Sequence, residues 1–127
     1  MKKVLSMAAG LILAGTQMFA HHGDAGRYNE DIVVVSGTVV DMQMVDPHSV
    51  VVFDAEENGK TVRFQAEMPG RGGLTRMGWT RNTVKAGDKI TVTGRRVKSG
   101  APYMNLTEKA QILVGDKDVY HTENWGK

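Results

Sequence analysis

Histidine is the residue type in this chain best suited to chemistry, and two of its four histidines, His21 and His22, stand side by side. If the chain is cut after Ala20, His21 carries a free α-amino group, whose ordinary pKa of about 7.7–8.0 makes it a usable ligand near neutral pH. The amine and the imidazole of His21 can then close a chelate ring around one metal ion. A second imidazole would complete a T-shaped set of three nitrogens, called a histidine brace. Such nitrogen sites suit Cu(II), so the stretch predicts a copper site.

The second imidazole is expected from His48 or from His22. His48 lies in the stretch V-D-P-H-S-V, where Pro47 restricts the backbone just before a strand. Because a rigidly held histidine is a better ligand than a freely moving one, His48 is favoured. We therefore predict His21, His22 and His48 as metal ligands. The alternative is that His21-His22 is an unstructured end that binds metal only adventitiously. His121, in the C-terminal tail, is interpreted as structural.

Several other side chains have both a functional and a structural interpretation. Asp24, Glu30 and Asp46 are candidate carboxylates for orienting a ligating imidazole, or else solvated surface groups. Met42 and Met44 share one face of a predicted strand, and thioether sulfur suits Cu(I). Methionine also fills gaps in cores, and core packing is the preferred interpretation for both.

The stretch at residues 68–81, M-P-G-R-G-G-L-T-R-M-G-W-T-R, is rich in glycine and arginine but lacks the spacing of a phosphate-binding loop. Its arginines are Arg71, Arg76 and Arg81. Together they are candidates for binding an anion or a partner, while the structural alternative is a plain connection within a barrel. Trp79 is predicted to be a structural anchor packed against the barrel and not a ligand-stacking residue.

The first twenty residues are typical of a secretory signal peptide. Two lysines precede an apolar run at residues 4–14, which is too short to span a bilayer, and Ala20 is the small residue expected before the cut. We therefore expect residues 1–20 to be removed, which gives a periplasmic or secreted protein with no membrane anchor. Residues 21–127 then form one domain with an irregular C-terminal tail.

Composition argues against several classes of function. The chain has 16 lysines and arginines against 14 acidic residues, and loss of Lys2 and Lys3 with the signal peptide would leave no net charge. A neutral domain is a poor match for nucleic acid. The chain has no cysteine, which excludes disulfides and thiolate chemistry. Neither H-E-x-x-H nor a nucleophile-elbow motif occurs. We predict no catalytic residues; copper-dependent oxidative chemistry is the enzymatic alternative.

The hydrophobic pattern predicts an all-β fold with one short helix. Strands are expected over residues 31–45, 49–55, 61–67, 89–98 and 103–114, and a helix over residues 74–79. The first strand carries Gly37 in its middle, where a bend or bulge is expected, and Asn58-Gly59 predicts a tight hairpin turn. The order β-β-β-α-β-β is that of the five-stranded OB-fold barrel. The alternative is a small antiparallel sandwich.

Three short motifs give the chain a resemblance to a known family. They are A-H-H at residues 20–22, D-P-H at 46–48 and G-W-T-R at 78–81. The chain resembles small exported bacterial proteins known as a domain of unknown function, which start A-H-H-S-F and carry N-P-H and R-G-W-T-R-D. Here Gly23-Asp24 stands where those proteins have Ser-Phe. The resemblance implies an exported β-barrel of one domain and supplies no established activity.

These features together predict an exported protein that binds a metal ion, with copper favoured, for metal handling or delivery. A periplasmic protein is a further expected partner, and nucleic acid is not. The alternative from a different class is an OB-fold binding module without metal, which would hold a small ligand, an oligosaccharide or a partner protein.

Overall fold

The computed structural model describes residues 26–127, and its elements follow the predicted order. The elements are β1 (Tyr28–Gln43), β2 (His48–Glu57), β3 (Lys60–Pro69), α1 (Arg71–Arg76), β4 (Lys89–Val97), β5 (Tyr103–Asn105), β6 (Gln111–Val114) and β7 (Lys117–His121). The predicted all-β class with one short helix is confirmed. No helix within this part of the chain is long and apolar enough to cross a membrane.

Five of the strands close into a barrel. β1 pairs with β2, β2 with β3, and β4 with both β1 and β5, all antiparallel. The ring is completed by a parallel pairing of β3 with β5. This closed ring confirms the OB-like barrel and not the sandwich alternative. β6 and β7 extend the same sheet beyond β4.

β1 serves two sides of the barrel, as its length predicts. Its N-terminal part pairs with β4 and its C-terminal part with β2, and the partner changes at Thr38. Gly37 lies just before this change, where an added Cβ would come within 2.3 Å of the Asp54 carbonyl oxygen. The site therefore requires glycine for close approach. The bulge itself lies between Val39 and Asp41, not at Gly37.

The hairpin of β2 and β3 forms around the predicted turn. Asn58 and Gly59 both have positive φ, 52° and 77°, as a two-residue turn with a matching twist requires. The turn fixes the pairing of the two strands over their whole length. On the inner face Phe53 lies opposite Phe64, and the two rings stack with centroids 5.4 Å apart. The hairpin thus contributes two stacked aromatic rings to the core.

The helix differs from the prediction because it begins and ends earlier, at Arg71–Arg76 and not at residues 74–79. Gly78 adopts φ +87°, a conformation that ends a helix, and the Trp79 N–H donates to the Leu74 carbonyl at 2.9 Å. This closing turn excludes Trp79 from the helix and directs the chain toward the barrel.

The last predicted strand, residues 103–114, is divided in two, and the tail is not irregular throughout. The Asn105 side-chain oxygen accepts hydrogen bonds from the Thr107 N–H at 2.9 Å and the Thr107 hydroxyl at 2.5 Å, which turns the chain after β5. The tail then contributes β7, paired with β6. Gly115-Asp116 joins these two strands, and such a dipeptide is a hairpin signal that the sequence interpretation missed.

Trp79 is a structural anchor, as predicted. Its side chain is buried, with 4% exposed, and its Nε1–H donates to the Val119 carbonyl at 2.9 Å. Its ring meets the Tyr120 ring edge-on at 6.2 Å. Because both partners lie on β7, the indole ties the connection after α1 to the C-terminal strand.

We expect Trp79→Ala to lower the free energy of unfolding by about 3–5 kcal/mol, the range for a buried large aromatic side chain. Urea denaturation measures this change. Trp125→Ala is the matched control, because Trp125 is only half-buried and should lose distinctly less. Equal losses in the two variants would contradict an anchoring role for Trp79.

Tyr120 gives the fold a sensitivity to alkaline pH. Its buried hydroxyl donates to the Leu106 carbonyl at 2.5 Å. Burial raises the pKa of Tyr120 from 10.0 to about 12. Between these values the unfolded chain releases the phenolic proton while the folded protein keeps it, so this contribution to stability is complete below pH 10 and lost as the pH rises toward 12.

Tyr120→Phe should therefore lower the free energy of unfolding near neutral pH by about 1–3 kcal/mol, because the buried Leu106 carbonyl loses its donor. The difference between the two proteins should shrink as the pH rises from 10 to 12. Denaturant titrations at a series of pH values test this, and a difference that stays constant up to pH 12 would contradict it.

Candidate metal centre

His48 is the predicted metal ligand that the structure describes. It is the first residue of β2, and 55% of its side chain is exposed. The fully buried Ser49 follows it, and the Ser49 hydroxyl accepts from the Val45 N–H at 3.3 Å and donates to the Val45 carbonyl at 3.2 Å. These two bonds close the loop before β2, so His48 stands on an ordered backbone.

The same loop is held from its other side by the segment that begins α1. The Arg71 N–H donates to the Val45 carbonyl at 3.0 Å. An added Cβ on Gly70 would come within 2.6 Å of both the Asp46 Oδ1 and the Pro47 carbonyl oxygen. The loop and Gly70 are thus in close contact, and the expected rigid entrance to β2 is present.

Glu67 is the carboxylate in contact with His48. Its Oε1 lies 3.3 Å from the His48 Nδ1. In the hairpin His48 pairs with Pro69, and Val50 pairs with Glu67, so Glu67 is the diagonal neighbour of His48 on one face of the sheet. Within the described residues the Nε2 of His48 has no hydrogen-bond partner, so that nitrogen remains available to a ligand.

Sequence reasoning proposed Asp24, Glu30 and Asp46 for this orienting role and missed Glu67. Asp46 is exposed, and it is not the partner of His48. Asp24 lies outside the described residues, and the side chain of Glu30 is not described. A signal for Glu67 was present, since counting outward from the predicted Asn58-Gly59 turn places it diagonal to His48.

His48 and Glu67 border a groove of about 230 Å³ on the outer side of the barrel. Its lining residues are Arg27, Tyr28, His48, Val50, Gln65, Glu67, Tyr103 and Met104. Glu67 supplies a carboxylate, and Tyr103 a ring that is 42% exposed. The Arg27 guanidinium lies over the Tyr28 ring, 5.7 Å from its centroid. The groove therefore combines charged groups with apolar wall and joins the start of β1 to the hairpin.

The structure describes no other histidine at this groove. His21 and His22 lie outside the described part of the chain. His121 is on β7, with its Nδ1 3.2 Å from the Asp118 carboxylate, and it lines a separate groove near the end of the tail. The structural interpretation of His121 is consistent with this position.

Among the side chains that the structure describes, no group of three or more histidine, cysteine, aspartate or glutamate residues is arranged to hold a metal ion. The His48–Glu67 pair provides one imidazole and one carboxylate. A metal site at His48 would need further ligands from outside the described side chains.

Comparison with known proteins places the chain in a family. Residues 9–104 match a family of unknown function, DUF6152. The chain belongs to this family. The match ends within β5, so β6 and β7 lie beyond it. No curated protein and no solved structure matches the chain. The resemblance to a domain of unknown function is thus confirmed at the level of the family.

Proposed function

We propose that this protein binds a metal ion, with copper favoured, for metal handling or delivery after export to the periplasm. The His21 amine and imidazole would supply two nitrogens and His48 the next, with His22 as the alternative imidazole. The observation that carries the proposal is the His48–Glu67 contact, 3.3 Å from Nδ1 to Oε1. Ligating histidines in proteins characteristically pair their other ring nitrogen with such a carboxylate.

The path of the chain supports the participation of His21. Arg27 borders the groove that contains His48, so the segment leading back to His21 starts beside the proposed ligand. Arg27 is six positions after His21, and an extended chain covers about 3.3–3.6 Å per residue, or about 20 Å for the segment. The proposed amino terminus is therefore within reach of His48.

Nitrogen chemistry favours copper over other metals at this site. An amine and two imidazoles form an all-nitrogen set, and Cu(II) heads the affinity order for divalent first-row metals with such ligands. No cysteine is present to favour a thiolate site. The proposal assigns no catalytic residue.

The amino terminus gives the sharpest test. A protein that begins at His21 should bind one Cu(II) more tightly than the same protein with one glycine placed before His21, because the extra residue breaks the chelate ring and leaves every side chain intact. His48→Ala should also weaken binding, and His121→Ala is the control that should not. Affinity is measured by competition with a chelator, and nitrogen coordination by electron paramagnetic resonance.

In the same titration, binding should weaken as the pH falls, because protons compete for the amine and imidazole lone pairs. Equal affinity of the natural and the extended amino terminus would show that the brace is wrong and that the two histidines form only a metal-sticky end.

Glu67 offers an independent test through the orientation of His48. Glu67→Gln should lower copper affinity by about 10–100-fold, the usual effect of losing a carboxylate behind a ligating histidine. Glu56→Gln is the matched control, because Glu56 lies on the same hairpin and accepts a hydrogen bond from Thr61, near the turn. If both variants keep wild-type affinity, His48 is not held for metal by Glu67.

The groove bordered by His48 and Glu67 supports a second candidate function, a binding module without metal. OB-folds commonly bind ligands on the face of the second and third strands, and the groove of about 230 Å³ lies there with the exposed Tyr103 ring. This candidate predicts that Tyr103→Ala abolishes binding of a small polar ligand and that Cu(II) binds no better to the wild type than to His48→Ala. The copper titrations above therefore separate the two functions.

A further inference from the structure

A second groove, of about 390 Å³, lies along the loop that precedes β2. Its lining residues are Met42, Gln43, Met44, Val45, Arg71 and Arg81. No aspartate or glutamate of the described chain is among them. Arg71 and Arg81 are the charged residues among those that line it, and in this it differs from the groove that contains Glu67.

Arg71 is fixed at one side of this groove. Its Nε–H donates to the Met44 carbonyl at 3.1 Å, and its backbone N–H is already bonded to the Val45 carbonyl. The terminal guanidinium nitrogens of Arg71 form no ion pair within the described residues. The side chain is thus oriented by one nitrogen and keeps the others for a ligand.

Arg81 is carried by an ordered turn. The Thr80 N–H donates to the Thr83 hydroxyl at 2.9 Å, and the Asn82 N–H donates to the Thr80 hydroxyl at 3.2 Å. The buried Trp79 anchors the chain immediately before this turn. Arg81 itself is exposed and, like Arg71, has no carboxylate partner in the part of the chain that is described.

Apart from Gln43, whose amide donates to the Asp41 carboxylate at 3.1 Å, the remaining wall of the groove is apolar. Met42 and Met44 are half-buried and pack against the core, as their structural interpretation predicts. Val45 is 40% exposed, which is high for a valine in contact with the barrel. Thioether sulfur suits a soft metal ion, but the two guanidinium groups that line the same groove repel a cation. The thioethers therefore act as apolar surface.

We propose that this groove binds an amphiphilic carboxylate of small-molecule size. The planar guanidinium groups of Arg71 and Arg81 match the geometry of a carboxylate head. The apolar chain of the ligand lies along Met42, Met44 and Val45. A volume of about 390 Å³ is within the usual range of small-molecule sites. The site is distinct from the proposed metal centre, because neither His48 nor Glu67 lines it.

Octanoate is the probe for this site. It is titrated into the protein beginning at His21, and binding is followed by the amide chemical shifts of residues 42–45. Arg81→Gln should weaken octanoate binding about fivefold, the loss expected for one exposed ion pair of about 1 kcal/mol. Arg71→Lys, which keeps the charge but loses the planar fork, provides a second variant. Arg76→Gln is the control, because Arg76 is exposed on α1 and does not line the groove.

Three further probes define the ligand. Octyltrimethylammonium keeps the apolar chain and reverses the charge, so it should not bind; binding equal to octanoate would overturn the proposal. Acetate keeps the charge without the chain and should bind much more weakly; equal binding would overturn the amphiphilic part. Two results would show that the groove is not the site. One is that Arg76→Gln weakens octanoate binding as much as Arg81→Gln does. The other is that octanoate leaves the amide chemical shifts of residues 42–45 unchanged.

Discussion

The barrel depends on the close contact of β1 with β2 at Gly37. β1 must leave β4 and join β2 within a few residues, and this brings its backbone against the Asp54 carbonyl of β2. Any side chain at Gly37 would force the strands apart, since a Cβ there would lie 2.3 Å from that oxygen. Without this crossing the sheet would remain open, and β2 and β3 would be joined to β4 only through β5. The positions of His48 and Glu67 follow from this closure.

The backbone at the candidate metal centre is held in place by hydrogen bonds from neighbouring segments and not by the side chains of His48 and Glu67. Val45 is bonded by the Ser49 hydroxyl and by the Arg71 N–H, so the loop before β2 is fixed from two directions. The hairpin turn then determines which β3 residue lies beside His48. A side chain on a backbone fixed in this way would lose little conformational freedom on binding a ligand.

Much of the fold could be predicted because its strongest signals are local. Alternation of apolar residues indicated the strands, and Asn58-Gly59 indicated the hairpin. The errors occurred where one residue overrides a pattern. Gly78 ends the helix by adopting a left-handed conformation, and the Asn105 side chain turns the chain within an apolar run that looked continuous. Neither effect is visible in hydrophobic periodicity.

The candidate site was predictable in part for a similar reason. His48 was identified from Pro47 and from its position before a strand, which are local features. Glu67 could have been found only by combining the hairpin register with the pairing of diagonal neighbours, a step from local to cross-strand structure. The anchoring role of Trp79 was predicted because a large aromatic ring is expected to be buried. Its contact with Val119 could not be predicted without knowing that the tail folds back as β7.

The two grooves differ in charge and share the loop between β1 and β2. On one side His48 and Glu67 present an imidazole and a carboxylate, with Arg27 in the same groove; on the other Arg71 and Arg81 present guanidinium groups without a carboxylate among the lining residues. Arg71 contributes to both, because it lines the anionic-ligand groove and its backbone fixes the loop that leads to His48. A ligand that changed the position of Arg71 would therefore alter the support of His48. By linkage, a metal at His48 would then change the affinity of the other groove by the same factor.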